Sequence, residues 1–312
     1  MLKKFLQQLW FTGNSLLEVI ETFLVKDKWG VLDRYPPVFI IGPPRTGTTL
    51  LYQVMVNRYN FSFMNNLTRI FYGAPYLVDL LTSRWVKASV DNEYTSHYGR
   101  AISLTGPSEA GNFWNRWYQN DKPYKEDLSL LRREVVAISQ RHSTSVIFKN
   151  TYNSLRIISL TELFPEAIFI VCSRNPVDTA QSILKARIDR YNDKYQWMGV
   201  EPKNLAAIKK HPYWQQVIEQ VYYIEKQIDK DSEVVGKERF YKILYEDFCI
   251  DVYKELNLLE DFLKTKGCQI GIRYDVPKKF KSSKNRKISE EDYNKIMTYV
   301  SELWPNNFNG DK

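Results

Sequence analysis

The sequence predicts an α/β fold: a P-loop-like, three-layer α/β/α arrangement around a central parallel sheet, with an N-terminal helical appendage. Three observations lead there. A short apolar, β-branched run at 38–41 has the length and character of a strand buried on both faces, and further strands read over 145–149, 168–172 and 239–245. Helix-compatible segments separate them, as expected of a parallel sheet covered by helices. A glycine-bounded loop, Gly42 to Gly47, joins the first run to a helix beginning at Thr48.

With 312 residues, 44% of them hydrophobic and 14% aromatic, the chain can bury a large core. The expected division is an amphipathic helical segment over 1–34 and one α/β domain over 35–312. A net charge of +8 suits an anionic ligand. Apart from a run near residues 278–287, the basic residues are spread out rather than striped among aromatics, so no nucleic-acid partner is expected. Cys172, Cys249 and Cys268 are odd in number and widely spaced, which fits a reducing compartment and apolar packing. Neither they nor His97, His142 and His211 show metal-ligand spacing, so no metal is expected.

Residues 1–25 carry apolar side chains at 2, 5, 6, 9, 16, 17, 20, 23 and 24, the spacing of an amphipathic helix. No signal peptide is expected, because Gln7, Gln8, Asn14, Glu18 and Glu21 interrupt any apolar core. Two roles stay open: a helix docked on the domain, or an anchor in peripheral contact with a membrane, which Lys3, Lys4 and Trp10 favour. Nowhere does an apolar run approach the roughly 20 residues needed to span a bilayer.

The Gly42–Gly47 loop lies where a strand gives way to a helix, and unpaired helix N-terminal amides there point at any bound phosphate or sulfate. Its glycine spacing matches a nucleotide-triphosphate loop up to Gly47. The lysine expected next is Thr48, and the cation has moved to Arg45 inside the loop. That change removes the contact to β- and γ-phosphates and suits a single anionic group on the 5′ side of a nucleotide. A P-loop kinase and a non-catalytic nucleotide-binding protein remain as alternatives.

The run Pro43-Pro-Arg-Thr-Gly-Thr-Thr-Leu-Leu51 resembles the 5′-phosphosulfate loop of sulfotransferases that use 3′-phosphoadenosine 5′-phosphosulfate (PAPS), in particular the branch that includes tyrosylprotein and many bacterial sulfotransferases. A second match follows the strand at 168–172: Arg174, Pro176 opening a helix, and Ser182 eight residues after the arginine. Arginine offers a forked donor to phosphate, and Ser182 lies a little over two helical turns on, near the same face. The resemblance implies that Arg45, Thr46, Gly47, Thr48 and Thr49 hold the 5′-phosphosulfate and that Arg174 and Ser182 hold the 3′-phosphate. It implies PAPS as co-substrate, no metal, a hydroxyl-bearing small-molecule, glycan or lipid acceptor, and a cytoplasmic location, where the donor is made.

Other positions follow in order. After a short second strand near Phe61, the resembling branch carries a catalytic Glu ahead of a Thr-Arg pair. Thr68 and Arg69 are present here, preceded by Asn66 and Leu67, so the base must come from elsewhere. Residues 71–126 read as irregular and aromatic, and hold His97 and Glu109 in glycine-bearing loops, where catalytic groups tend to lie. As a general base Glu109 ranks first and His97 second. Lys149 ends an apolar strand, facing the ligand crevice of an open sheet, and the resemblance sets it against the transferring sulfuryl group. Tyr245-Glu-Asp-Phe resembles the segment whose Tyr helps hold the nucleotide. In the basic run from Phe280 to Ile288, the resemblance makes Lys281, Ser283 and Arg286 contacts to the 3′-phosphate.

Overall fold

The computed structural model of the chain describes residues 2–88, 94, 104–282 and 285–305. One helix, α1 (Leu2–Leu24), opens it. Strand β1 (Val38–Ile41) runs into α2 (Thr48–Arg58), and β2 (Ser62–Phe63) into α3 (Asn66–Ile70) and α4 (Pro75–Ala88). The short α5 (Gly111–Asn115) and a hairpin of β3 (Tyr118–Gln119) with β4 (Lys122–Pro123) lead to α6 (Ser129–His142) and β5 (Val146–Lys149). A 3-10 turn over Thr151–Leu155 and α7 (Ile157–Leu163) precede β6 (Ile168–Ser173). Three helices, α8 (Pro176–Tyr191), α9 (Leu205–Ile208) and α10 (Tyr213–Val235), separate β6 from β7 (Phe240–Leu244). Then come α11 (Tyr245–Ile250), α12 (Val252–Thr265) and α13 (Glu290–Leu303).

The five-stranded sheet has the order β2-β5-β1-β6-β7, and every pair in it is parallel. Strand β1 lies at its centre, Val38 to Ile41 against Ile168 to Val171 of β6, and Val38 to Ile40 against Ile147 to Lys149 of β5. All four of its side chains are buried. Phe39 and Ile41 join the cluster formed with α6, α7 and α10, whereas Val38 and Ile40 join the one formed with α2 and α12. That alternation makes the sheet the middle of three layers, as the sequence predicts. From β1 the chain crosses toward β2 at one edge, and from β6 toward β7 at the other. The C-terminal ends of β1 and β6 therefore flank a topological switch point, where open α/β sheets bind ligands.

Two of the longer helices, α4 and α13, fall where the sequence reading placed none. Helix α4 lies in the stretch read as irregular, and its N-terminus is capped from outside: the Glu21 carboxylate of α1 accepts the Tyr76 and Leu77 amides at 2.6 and 3.1 Å. No local capping residue announces it. Helix α13 is capped by Ser289, which accepts the Asp292 amide, and packs Ile296 and Val300 against α8 and α10.

Helix α1 is held to the domain by polar side chains. Trp10 donates its indole N–H to the Ile70 carbonyl at 2.8 Å, and Asn14 bonds both that carbonyl and the Gly73 amide. Below it, Arg116 bridges the carboxylates of Glu18 and the fully buried Glu134 at 3.4 and 2.9 Å. Burial pushes the Glu134 carboxyl up to about 8, with Arg116 opposing, and the Glu21 carboxyl up to about 7. A raised carboxyl pKa contributes stability that is complete below the ordinary value of 4.5 and lost as pH rises through the folded value. Glu134→Gln is expected to flatten the dependence of the melting temperature on pH between about 4.5 and about 8. Melting curves across that window check it, and a variant slope equal to that of the parent chain would count against a buried, titrating Glu134.

Candidate active site

The loop after β1 takes its shape from two left-handed glycines. Gly42 has φ 143° and Gly47 φ 95°. A Cβ on Gly42 would come within 2.3 Å of the Cys172 carbonyl oxygen, and one on Gly47 within 2.2 Å of the Tyr245 ring. Between them Arg45, at φ 72°, is also left-handed. The Thr46 hydroxyl donates to the Pro43 carbonyl at 2.8 Å, so it fixes the turn from inside. The Gly42 amide donates to Ser154 Oγ at 2.9 Å, and that hydroxyl donates back to the Gly42 carbonyl. Gly47 ends the loop as the N-cap of α2, with no side chain capping the helix, while Thr48 and Thr49 form its first turn.

The second element meets the first directly. Arg45 Nε donates to Ser182 Oγ at 3.1 Å, and Arg174 Nη1 to the Arg45 carbonyl at 3.3 Å. Arg174 lies 4.6 Å over the Tyr245 ring and 3.9 Å from the Glu246 carboxylate. Asn175 and Pro176 open α8, the Asn175 side chain accepting the Val177 and Asp178 amides, and Ser182 is buried two turns along. Tyr245 thus underlies both elements, one flank against Gly47 and its face beneath Arg174.

A third cation joins this pair, one the sequence reading passed over. Burial, then Arg174 and Arg45, hold the Lys287 ammonium below its usual range. Its amide donates to Gln181 Oε1 at 2.9 Å, which fastens the basic run to α8. Of the residues expected from that run, Lys281 is exposed, Arg286 pairs with Glu290 at 3.3 Å, and Ser283 lies outside the described residues. Three mutually repelling cations beside a helix N-terminus are arranged to receive more than one negative charge.

At the end of β5, Lys149 is 3% exposed and its ammonium donates to the Glu109 carboxylate. The loop carrying Glu109 lies along β2 and α3: Ser108 donates its amide to the Met64 carbonyl, and the Asn66 and Leu67 amides donate to the Gly106 and Leu104 carbonyls. Asn150 Nδ2 clamps the Glu109 carbonyl at 3.1 Å. Asn65 caps α3 by accepting the Thr68 amide and hydroxyl, so this corner supplies a capping amide where a carboxylate was sought. His97, the second candidate base, lies outside the described residues. Sequence reading also missed Tyr52 on α2. Its buried hydroxyl has no hydrogen-bond partner among the described residues, and burial, then the nearby Glu109 charge, push its pKa upward.

The model of the sulfotransferase family matches residues 36–266. Curated relatives include omega-hydroxy-beta-dihydromenaquinone-9 sulfotransferase Stf3 of Mycobacterium bovis and of Mycobacterium tuberculosis, each 26% identical over 261 residues, or 73% of this chain. The match spans 62% of the length of those relatives. Among solved structures, sulfotransferase STF9 from Mycobacterium avium aligns with 92% of this chain and 71% of its own at 15% identity and TM-score 0.47. A sulfotransferase from Alicyclobacillus acidocaldarius aligns with 86% of this chain and 93% of its own at 14% identity and TM-score 0.46.

Gly47→Ala is expected to cost about 2–4 kcal/mol, from left-handed strain plus overlap with the Tyr245 ring. Combining it with Tyr245→Ala should recover part of that loss in a double-mutant cycle of denaturant midpoints. A loss below about 0.5 kcal/mol would mean that the loop yields where these contacts say it is fixed.

Proposed function

The chain belongs to the sulfotransferase family, and we propose that it moves a sulfuryl group from PAPS to a hydroxyl of its acceptor. The convergence of Arg45, Arg174 and Lys287 beside Ser182 at the start of α2 carries this reading. A nucleotide bearing a 5′-phosphosulfate and a 3′-phosphate matches that concentration of charge, whereas a triphosphate would call for a lysine at Thr48. In this assignment the loop amides, Thr48, Thr49 and Arg45 hold the 5′ end, and Arg174, Ser182 and Lys287 the 3′ end. Tyr245 supports both from below.

In the reaction the acceptor oxygen forms a bond to sulfur as the bond from sulfur to the bridging oxygen breaks. Adenosine 3′,5′-bisphosphate leaves, and the acceptor proton goes to a base. Lys149 is assigned to the charge that develops on the bridging oxygen and Glu109 to the proton, with His97 the second candidate base. The direct contact between Lys149 and Glu109 supports placing both at one reacting centre. No metal is required in this scheme. The curated relatives are named for a hydroxylated menaquinone, so a lipid with a terminal hydroxyl is the acceptor class to try first.

Calorimetric titration should show adenosine 3′,5′-bisphosphate binding at least about tenfold more tightly than AMP, the preference disappearing in Arg174→Ala. Preference for ATP would move the kinase reading to the front. With labelled PAPS and a hydroxylated lipid, Lys149→Ala and Glu109→Gln are each expected to lower turnover by about 100-fold or more. Turnover unchanged in either variant would remove that residue from the mechanism.

A further inference from the structure

Helix α1 is amphipathic in an inverted sense. Trp10, Asn14 and Glu21 turn inward and hydrogen-bond Ile70, Gly73 and the start of α4. Leu6, Leu9, Leu16, Val19, Ile20 and Phe23 are left exposed, Val19 and Phe23 each at 69%. A helix lying on a globular domain ordinarily presents the opposite faces, and contiguous apolar surface of this kind marks a docking site. We propose that this face docks on an anionic lipid bilayer, lying in its interface. Among the described residues no helix is long and apolar enough to cross a membrane.

Charge selects the bilayer as occupant. The exposed polar positions between Leu6 and Leu24 are Gln7, Gln8, Thr12, Ser15 and Thr22, and none carries a charge. Ser15 and Thr22 donate their hydroxyls to the Phe11 and Glu18 carbonyls of their own helix, so both enter a low-dielectric layer already bonded. The carboxylate of Glu18 is held by Lys125 and Arg116, and that of Glu21 by two amides. Cations gather instead at the ends. Lys3 and Lys4 precede the face in sequence, and at the far end exposed Lys26 lies 4.8 Å over the Phe23 ring, with one exposed carboxylate, Asp27, between it and Lys28. Next to it Trp29, 58% exposed, donates its indole N–H to the Lys26 carbonyl and packs under Arg133. Basic and indole side chains at the margins of an uncharged apolar face are the pattern of an interfacial helix.

A second copy of the chain fits less well. Leu6, Leu9, Leu16, Ile20 and Phe23 do follow coiled-coil spacing, but among the positions flanking that seam are Trp10 and Leu17 on one side and Thr12 and Val19 on the other. None of these offers the charge that sets partner and register. The docking stands whether or not sulfuryl transfer is the reaction, and its test reads binding alone.

The full chain would be floated with vesicles of equal parts phosphatidylcholine and phosphatidylglycerol, beside phosphatidylcholine alone, and compared with Leu16→Glu/Ile20→Glu. Both substituted positions are exposed, so the variant should keep its melting temperature. Expected are binding to the mixed vesicles, weaker binding to phosphatidylcholine, and at least about a tenfold lower partition of the folded variant. Failure of the parent chain to float, or equal binding by the variant, would overturn the proposal. So would a concentration-dependent dimer in sedimentation equilibrium that the variant abolishes, which would assign the face to a second copy.

Discussion

The parallel pairing of β1 with β6 is the constraint on which the rest depends. Four residues in register, Val38 with Ile168 through Ile41 with Val171, end the two strands side by side. Their following turns are therefore neighbours. Gly42 must then pass so close to the Cys172 carbonyl that no side chain fits. From there the geometry is short-range: Arg174 reaches the Arg45 carbonyl, and Arg45 reaches Ser182. Because the crossovers from β1 and β6 leave toward opposite edges, a crevice opens between the C-terminal ends of these two strands.

The same closeness has an energetic side. Lys287 beside two guanidiniums is unfavourable for the folded chain taken alone, since burial and like charge both disfavour the ammonium. An anion bound there, as proposed, would offset the repulsion and stabilise the fold through linkage. The polar core under α1 differs, because Arg116 is shared between Glu18 and Glu134. There two carboxylates share one guanidinium, whereas beside the loop the Glu246 carboxylate stands 3.9 Å from one of two guanidiniums that press on Lys287.

What the sequence made legible was local. Strands β1 and β6 are nearly continuous apolar runs, β5 is one that ends in Lys149, and β7 is interrupted only by Lys242; the turns after β1 and β6 carry their glycines, arginines and Pro176 within a few residues of the strand ends. What it hid was supplied from a distance. Helix α4 has its cap on another helix, so no capping residue precedes Pro75. Lys287 and Arg286 are adjacent, and only the docking of Lys287 onto Gln181 of α8 sets their different surroundings. Tyr52 reads as one more apolar position of α2, because nothing local tells that its hydroxyl is left without a partner. Glu109 could be ranked as a base but not placed, since its position depends on backbone bonds from its loop to β2 and α3.

That cap on α4 also bears on how the chain assembles. The two amides that start α4 are satisfied by a carboxylate 55 and 56 residues earlier in the chain. Helix α4 gains that cap only once α1 has docked, so its N-terminus is complete only with α1 in place. A chain cut back to the matched family region would lose the exposed apolar face and, with it, a bond of the folded interior.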